Sequence, residues 1–449
     1  MQLVIEKLQT KLDGFDIYSL FKEDTNTVLL DSARDEETLG RYSFIGVNCF
    51  ITFKSKNGKC YKNEKEYAGD TFTELNKILK EFTLENNTNL PFVSGGIGYF
   101  SYDLGRELEE LPNIAMEDID IPCCYFNFYD NIIILDNLEK ITYISALGML
   151  KSQKDSICGI KRRILKGNKV TYEKVGNITN KFTSSFERNK YINTISKVRE
   201  FIKSGDIYIT NLSQRFSCSI SKSAYEIYKD LRYINPAPFA AFMNFGDFNI
   251  LCSSPERFLS IVDRKVETRP IKGTMPRGIG EEEDLKNKNI LINSEKDKAE
   301  LLNVVDLERN DLSKVCKPNS VKVTELFKLK EYSTVFHLES TVVGELKEQV
   351  GSIECIKACF PGGSITGTPK IRSMEIIEEL ESVRRNIYTG SLGYLGFDGN
   401  VDLNIIIRTI LIKDHKAYFG VGGGITWDSK EELEYDETLD KAMALMRVL

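Results

Sequence analysis

Two pairs of acidic residues at helical spacing are the first candidates for chemistry. Asp297 and Glu300 are three residues apart in SEKDKAELLNVVDLERND, and Glu434 and Glu437 repeat that spacing in SKEELEYDETLDKAM. Residues three apart lie on one face of a helix, which is usually a solvent-exposed face. Mg²⁺ prefers oxygen ligands and needs few carboxylates, since it keeps several of its waters. The pairs are therefore interpreted either as exposed faces or as carboxylates that converge on one Mg²⁺ ion.

A cationic residue within an apolar strand pattern is the second candidate. Arg408 interrupts VDLNIIIRTILI, and a buried guanidinium requires a carboxylate or another anion that it can hold through two hydrogen bonds. Gly422, Gly423 and Gly424 stand in KAYFGVGGGITW, where glycine lets backbone N–H groups approach a ligand. FPGGSITGTPK leads into a helix predicted to begin near Pro369, but it lacks the spacing of a P-loop. These features predict an anionic ligand.

A lysine on a glycine turn is the third candidate. Lys272 stands in VETRPIKGTMPRG, where the neighbouring proline and glycine prevent a helix or a long strand from continuing. A lone lysine in such a place is usually a solvated loop residue. A functional role for Lys272 therefore depends on what the rest of the chain contains.

Composition limits the classes of function. The 449-residue chain has a formal net charge of -6, so it has no basic excess with which to displace counterions from nucleic acid. Ten cysteines without a C-x-x-C pair support neither a zinc knuckle nor a redox dithiol. With two histidines, His337 and His415, catalysis must depend on carboxylates, lysine, arginine and a hard metal ion. We expect a cytoplasmic protein because the sequence has no leader-like or membrane-spanning apolar run.

The pattern of elements divides the chain into two parts. Strand-like runs such as RYSFIGVNCFITF dominate residues 1–150. A polar segment, residues 151–188, is interpreted as a linker. Residues 189–449 mix amphipathic helices such as IRSMEIIEELESVRR with strands, and no internal repeat is visible. The sequence predicts an α+β fold in which both parts form one interwoven unit.

The ordered motifs resemble those of the chorismate-utilising enzymes, which include anthranilate, aminodeoxychorismate, isochorismate and salicylate synthases. The resemblance runs from about Lys190 to the C-terminus through SSPERF, PIKGT, DLERND, FPGGSITGTPK, GSLGYLGFDGN, IIIRTI, GGGITWDS and EYDET. It extends less densely to LLDSARDEETLGRYSFIG and GGIGYFSYDLGR. The fold that it implies consists of large antiparallel β-sheets packed in a sandwich, with helices on the outside.

The resemblance gives roles to these residues. It implies that Glu300 and Glu437 ligate Mg²⁺ while Asp297 and Glu434 hold its waters. It also implies a binding site for chorismate, with the histidine near the ring, formed by Thr274, His337, Tyr388, Arg408, Gly422, Gly423, Gly424 and Lys441. A dianionic substrate in an acidic protein needs such local positive charge.

Lys272 distinguishes two branches of the family. Anthranilate synthases have P-I-A-G-T at this motif, whereas aminodeoxychorismate synthases have P-I-K-G-T, as this chain does. The resemblance therefore implies that Lys272 attacks C2 of chorismate and the C4 hydroxyl leaves. Ammonia then adds at C4 and expels the lysine, so covalent catalysis divides one difficult displacement into two. The implied product, 4-amino-4-deoxychorismate, leads to 4-aminobenzoate and folate.

Two further positions bear on this chemistry. The resemblance implies that Glu256, in SSPERF, is the general acid and base on the C4 side, and the alternative is a salt bridge to Arg257 or to a solvent-facing lysine. Ile209 stands where isochorismate and salicylate synthases have a base lysine and where amine-using relatives usually have glutamine. This difference weakens a water-using reaction and leaves open how the site is lined near the ring.

The resemblance also implies a partner and a second pocket. No glutaminase signature with a reactive cysteine and histidine is visible, so a separate glutamine amidotransferase subunit is expected to supply ammonia. LLDSARDEETLGRYSFIG resembles the tryptophan-feedback element of anthranilate synthases, with Asp31 in place of a glutamate. The element is interpreted either as structural or as a tryptophan pocket lined by Leu30, Ser32, Tyr42, Asn235, Pro236, Pro238 and Phe239.

Three functions are therefore compared. The leading hypothesis is amination of chorismate at C4, as in the aminodeoxychorismate branch. The first alternative is the anthranilate branch, component I, which serves tryptophan biosynthesis. The second alternative is a non-catalytic tryptophan-sensing subunit, although a sensor has no use for the set formed by Lys272, Glu256, Glu300, Glu437 and Arg408.

Overall fold

The computed structural model describes residues 3–33, 39–331 and 335–449. The helices, numbered in chain order, are α1 (Gly14–Phe21), α2 (Thr71–Glu81), α3 (Gln153–Leu165), α4 (Arg188–Lys203), α5 (Ala224–Ile234), α6 (Glu281–Ile292), α7 (Glu295–Val315), α8 (Ser352–Cys359), α9 (Lys370–Leu380) and α10 (Glu431–Val448). Short 3₁₀ helices lie at Tyr102–Glu107 and Gly363–Ile365. In the described residues, no helix is both long enough and apolar enough to cross a bilayer.

The strands are numbered in the same way. They are β1 (Val4–Leu8), β2 (Val28–Asp31), β3 (Tyr42–Lys56), β4 (Lys59–Lys62), β5 (Lys65–Ala68), β6 (Gly95–Phe100), β7 (Cys124–Asp136), β8 (Ile141–Ala146), β9 (Thr183–Ser184), β10 (Ile209–Ser219), β11 (Phe239–Asn244), β12 (Phe248–Ser254), β13 (Arg257–Val262), β14 (Lys265–Arg269), β15 (Ile271–Pro276), β16 (Lys322–Glu331), β17 (Val335–Glu345), β18 (Gly367–Thr368), β19 (Ser391–Gly396), β20 (Val401–Ile405), β21 (Thr409–Lys413) and β22 (Lys416–Ile425).

The strands form two antiparallel sheets that share the long strand β7. The first sheet has the order β1-β8-β7-β3-β2-β11-β12-β21-β22-β10, and β9 and β18 pair with the outer edge of β10. The second sheet has the order β7-β6-β19-β20-β13-β14-β17, and β15 and β16 also pair with β17. Strand β7 belongs to both sheets because its first half pairs with β6 and its second half with β8.

A layer of apolar side chains lies between the two sheets. Phe44 and Ile250 of the first sheet belong to the same buried cluster as Ile97 and Tyr394 of the second. The outer face of the first sheet is covered by α1, α3, α5 and α10, and that of the second by α2, α7 and α8. Burial of apolar surface on both faces stabilises this arrangement. The predicted sandwich of antiparallel sheets with outer helices is confirmed.

The two parts expected from the sequence are joined by strand pairing. Strand β2 pairs with β11, and β6 pairs with β19, so strands of 1–150 continue directly into those of 189–449. Within the expected linker, 151–188, helix α3 buries Ile157, Ile160 and Ile164 against the first sheet. These residues lie on one face of the helix. The polar composition of the whole segment did not indicate this apolar face. Helix α3 is thus packed against the first sheet, whereas residues 167–182 contain no helix or strand and are mostly exposed.

The run VDLNIIIRTILI forms two strands where the sequence suggested one. Strand β20 ends at Ile405 and β21 begins at Thr409, and Arg408 between them has a φ of 50°. A non-glycine residue in the left-handed region costs about 1–3 kcal/mol, and such residues concentrate at functional sites. The carbonyl of Arg408 accepts a hydrogen bond from the backbone N–H of Ser253, which holds the break against β12.

A bulge at Gly273 shapes the strand that carries Lys272. The pairing of β15 with β17 shifts its register between Lys272 and Thr274, and Gly273 has a φ of 75°. A left-handed residue within a bulge favours glycine. A side-chain carbon at this position would lie 2.9 Å from Cγ of Asp297, so only glycine lets α7 approach β15 this closely.

Candidate active site

Lys272 lies where β15, β22 and α7 meet. Its Nζ donates a hydrogen bond to the carbonyl oxygen of Ser364 at 3.0 Å. A side-chain carbon added to Gly424 would lie 3.5 Å from Lys272 Nζ and 3.5 Å from Oε2 of Glu300. The bare backbone of β22 at Gly424 therefore leaves room beside an ammonium and a carboxylate. Lys272 is half-buried within this charged cluster and is not a solvated loop lysine.

Glu256 is a buried carboxyl group whose Oε1 has no hydrogen-bond partner among the described residues. Burial raises the pKa of Glu256 to about 7, against the opposing charge of Lys272. A carboxyl group with a pKa near neutrality can both give and take a proton. The neighbouring Arg257 donates instead to Asp402 and Glu267, so the alternative of a Glu256–Arg257 salt bridge does not apply.

His337 lies on β17 beside the bulge. Its Nδ1 is 2.9 Å from Oγ1 of Thr274 and 3.3 Å from the carbonyl oxygen of Gly273. Burial, and then the charges of Arg408 and Lys441, lower the pKa of His337 to about 4. The ring is therefore neutral at physiological pH and adds no charge to the site. Thr274, predicted to contact substrate, contacts the histidine from a solvent-exposed position.

Arg408 and Tyr388 have different surroundings. In the described part of the chain, no side chain or carbonyl forms a hydrogen bond or ion pair with the Arg408 guanidinium, whose pKa is lowered by burial. Such an unpaired guanidinium suits an anion that binds through two hydrogen bonds. The Tyr388 ring packs on Gly420, where an added side-chain carbon would lie 2.3 Å from the ring.

The four predicted metal-binding carboxylates come together from α7 and α10, where lysines pair with three of them. Lys441 Nζ lies 2.7 Å from Oε1 of Glu437 and donates to the carbonyl oxygen of Gly422 at 2.8 Å. Lys296 Nζ lies 3.3 Å from Oε1 of Glu434 and 3.8 Å from Oε1 of Glu300. Each of these three carboxylates is thus held by an ammonium group.

The pKa values of two of these carboxyl groups are shifted from the usual value in opposite directions. Burial raises the pKa of Glu300, although Lys272 and Lys296 oppose this effect. Burial also acts on Glu437, but the nearby lysines, Lys441 first among them, outweigh it and hold its pKa below the usual value. Lys272, Lys296 and Lys441 therefore offset part of the negative charge of the four carboxylates.

Gly423 and Gly424 of β22 lie between the two acidic pairs, one on α7 and the other on α10. A side-chain carbon at Gly423 would lie 3.4 Å from Oε2 of Glu434 and 3.7 Å from Oε1 of Glu437. The corresponding carbon at Gly424 would instead meet Glu300, as described above. Close approach of the backbone to a ligand stays the predicted role of these glycines.

The donor set suits a hard divalent cation, although the side chains are not arranged around one. Across residues 3–33, 39–331 and 335–449, no three acidic, histidine or cysteine side chains converge closely enough to hold an ion as they stand. All four predicted donors are carboxylates, which Mg²⁺ prefers. In this structure Lys296 pairs with Glu300 and Glu434, and Lys441 pairs with Glu437.

Sequence analysis did not identify three residues of this site. Lys296 precedes Glu300 by one helical turn, a spacing that could have indicated an ion pair. Ser429 donates to Oε1 of Glu434 at 2.7 Å, and it stands just before α10. Ser364 lies in the glycine-rich loop that was predicted to bind an anion, and it accepts from Lys272 instead.

The predicted tryptophan pocket corresponds in part to a cavity of about 200 Å³. Five of the seven predicted residues line it: Leu30, Ser32, Tyr42, Pro238 and Phe239. Asn235 and Pro236 do not, and the Asn235 amide donates to Oγ of Ser253. Asp31 is buried and accepts from Arg232 at 2.6 Å. Residues 34–38 of this element lie outside the described residues.

Comparisons with known proteins identify the family of this chain. The profile of the family described as chorismate binding enzyme matches residues 25–447. Aminodeoxychorismate synthase component 1 of Bacillus subtilis (strain 168) is 38% identical over 460 residues, which cover 99% of this chain and 96% of that protein. Anthranilate synthase component 1 of Acetivibrio thermocellus is 37% identical over 454 residues, covering 96% and 92%.

A solved structure shares both the fold of this chain and part of its sequence. The crystal structure of anthranilate synthase component I from Streptococcus pneumoniae TIGR4 superposes with a TM-score of 0.81 and 31% identity, covering 90% of this chain and 92% of that one. The family match spans nearly the whole chain, and the relatives of both branches are similar over 92% and 96% of their length. The chain therefore belongs to the family of chorismate-binding enzymes.

Proposed function

We propose that the protein is an aminodeoxychorismate synthase component I, which converts chorismate and ammonia to 4-amino-4-deoxychorismate. The observation that carries this proposal is the position of Lys272. Its ammonium group lies beside Glu300 and the open backbone of Gly424, and its charge acts on the carboxyl group of Glu256. A lysine in this place is available as a nucleophile, which the alanine of the anthranilate branch is not.

Substrate binding depends on the local positive charge. The unpaired guanidinium of Arg408 receives one carboxylate of chorismate, and Lys441 contributes to binding from its place beside Gly422. Glu300 and Glu437 would hold Mg²⁺, with Asp297 and Glu434 contacting its waters. When bound, the ion supplies charge that neutralises a substrate carboxylate.

The proposed reaction uses the side chains of Lys272 and Glu256. The neutral amine of Lys272 forms a bond to C2 of chorismate, and the bond between C4 and its hydroxyl oxygen breaks as Glu256 gives that oxygen a proton. Ammonia then bonds to C4, the bond from C2 to the lysine nitrogen breaks, and the proton lost by ammonia returns to Glu256. Chorismate and ammonia thus become 4-amino-4-deoxychorismate and water, and Lys272 is regenerated.

One feature favours ammonia over water as the second nucleophile. A side-chain carbon on Gly424 would lie 3.1 Å from Cδ1 of Ile209, so this apolar side chain stands next to Lys272 and Glu300. An isoleucine cannot take a proton from water, as a lysine at this position could. Ammonia would come from a separate glutamine amidotransferase subunit, in keeping with the component 1 names of the relatives.

Anthranilate synthase component I is the second candidate. It is supported by relatives of that name at 37% and 34% identity and by the cavity beside Leu30, where tryptophan could bind. It is opposed by Lys272 itself. A non-catalytic sensing role would leave the buried Glu256 and the unpaired Arg408 without a purpose.

Product identification tests the proposal. The purified chain is incubated with chorismate, Mg²⁺ and an ammonium salt, and products are separated and identified by mass spectrometry. We expect 4-amino-4-deoxychorismate, which a lyase then converts to 4-aminobenzoate. Direct formation of 2-aminobenzoate, which is fluorescent, would instead assign the chain to the anthranilate branch.

A further inference from the structure

Lys296 lies between the two acidic pairs, where its single ammonium group contacts one carboxylate of each. It stands on the first turn of α7 and is four residues before Glu300, while Glu434 comes from α10. Its Nζ is 3.3 Å from Oε1 of Glu434 and 3.8 Å from Oε1 of Glu300. The proposed reaction gives Lys296 no role.

The two carboxylates differ from the lysine in their exposure to water. The side chains of Glu300 and Glu434 are 11% and 5% exposed, whereas that of Lys296 is 47% exposed. The ammonium group therefore reaches two buried carboxylates from the solvent side. Buried carboxylates that face each other lose hydration and repel, so each needs a nearby positive charge.

The hydroxyl of Ser429 cannot supply that charge. It donates to Oε1 of Glu434 at 2.7 Å, the same oxygen that Lys296 approaches, but a hydroxyl is neutral. Lys441 contacts Glu437 and the carbonyl of Gly422. Lys296 is thus the cation that Glu300 and Glu434 share in the described structure.

A divalent ion held by Glu300, with Glu434 contacting its waters, would lie beside the same ammonium group. Mg²⁺ binds carboxylate oxygens at about 2.0–2.1 Å and repels a neighbouring positive charge. The side chain of Lys296 is flexible and half-exposed, so its charged end can move into water while its aliphatic part stays in place. The ion pairs of Lys296 and a bound divalent ion therefore compete for Glu300 and Glu434.

We propose that Lys296 is an internal counter-ion of the metal site: it holds Glu300 and Glu434 together when no divalent ion is bound and lowers the affinity of the site for Mg²⁺. This inference rests on the metal-binding part of the proposed function. It gives the metal-free protein a defined contact between α7 and α10, and it keeps the metal exchangeable.

The test measures metal binding directly in three forms of the chain. Mg²⁺ is titrated by calorimetry and Mn²⁺ by electron paramagnetic resonance into the wild type, Lys296→Gln and Lys298→Gln. Lys298 is the matched control, because it lies on the same helix and pairs with the exposed Glu295 at 3.2 Å. Both substitutions remove one positive charge, but only the first removes it from the carboxylate pair.

The expected result is tighter metal binding in one variant alone. Lys296→Gln should bind Mg²⁺ about five- to tenfold more tightly than the wild type, since two partly buried ion pairs no longer compete. Lys298→Gln should stay within about twofold of the wild type, because its pair is exposed. Without metal, Lys296→Gln should also melt at a lower temperature, and added Mg²⁺ should raise its Tm by more than it raises that of the wild type.

The outcomes separate this inference from the metal assignment. If the wild type binds Mg²⁺ and Lys296→Gln binds it no more tightly than Lys298→Gln does, the inference is overturned and the metal assignment stands. If neither the wild type nor Lys296→Gln binds Mg²⁺ or Mn²⁺, both fail. Lys296→Arg retains the charge and should keep wild-type affinity, so tight binding by this variant would also contradict competition by charge.

Discussion

Lys272 and Glu256 share Ser364 as a neighbour. The Lys272 ammonium donates to the carbonyl oxygen of Ser364 at 3.0 Å. Burial raises the pKa of Glu256 to about 7, against the opposing effects of the Ser364 side chain and of the Lys272 charge. A nucleophile candidate and an acid–base candidate from separate motifs are thus fixed around one residue of the glycine-rich loop.

Replacing Lys272 with alanine should change the product as well as the rate. The variant recreates the P-I-A-G-T motif and removes the covalent step, while Arg408 and Glu256 remain in place to bind chorismate and release its hydroxyl. We expect most 4-amino product to be lost and some C2-aminated product to appear with ammonium as donor. Chromatography with mass detection measures both. Lys265→Ala, an exposed lysine on the adjacent strand β14, should leave the product unchanged.

The stability of Glu256 variants should depend on pH. In the folded chain burial raises the pKa of Glu256 to about 7, whereas the unfolded chain has the ordinary value of about 4.5. The folded state therefore binds the proton more tightly, and this contribution to stability is fully present below pH ~4.5 and lost as pH rises through ~7. Glu256→Gln, which cannot ionise, avoids that loss.

Urea unfolding at two pH values checks this expectation. Relative to the wild type, Glu256→Gln should gain up to about 3 kcal/mol in the free energy of unfolding between pH 4.5 and pH 8. Comparing the two proteins at each pH cancels the titration of other groups. An equal difference at both pH values would mean that the carboxyl group is ionised in the fold at neutral pH.

Substitution of Arg408 by lysine should weaken substrate binding. Lysine keeps the charge but loses the planar group that holds a carboxylate through two hydrogen bonds. We expect a loss of about 1.5–3 kcal/mol in binding, measured as a higher KM for chorismate with the fold intact. Arg215→Lys is a suitable control, because its guanidinium pairs with Asp118 at the protein surface. Unchanged kinetics of Arg408→Lys would remove Arg408 from the binding site.

A methyl group at Gly424 should impair the site while the fold survives. The added carbon would lie 3.1 Å from Cδ1 of Ile209 and 3.5 Å from both Lys272 Nζ and Glu300 Oε2. Side chains can shift by the small amount required, but the space beside the two charged groups is lost. Gly424→Ala should therefore lower kcat/KM for chorismate with a nearly unchanged Tm.

The control for that substitution is a glycine with open space around it. A side-chain carbon at Gly159, in the middle of α3, would meet nothing within 4 Å. Gly159→Ala should raise stability by about 0.5–1 kcal/mol and leave activity unchanged. Full activity of Gly424→Ala would show that ligand does not approach β22 at this point.

Motifs and helical spacing were sufficient to predict the sandwich fold and the acidic pairs on α7 and α10. They could not predict which charges would pair, because Lys296 and Glu434 lie on helices distant in sequence and meet only through packing. They also could not predict that Arg408 breaks its strand, since an apolar run indicates a continuous strand while a left-handed residue is set by tertiary contacts. The polar composition of 151–188 similarly concealed the buried face of α3.

The role of Lys272 as a nucleophile is the central claim, and mass spectrometry after a rapid quench tests it most directly. The chain is mixed with chorismate and Mg²⁺ without ammonia, quenched in acid, and digested. We predict an adduct with the mass of chorismate less one water on the peptide that contains Lys272, and none in Lys272→Ala. Absence of the adduct, together with 4-amino product formed by the alanine variant at the wild-type rate, would contradict the account.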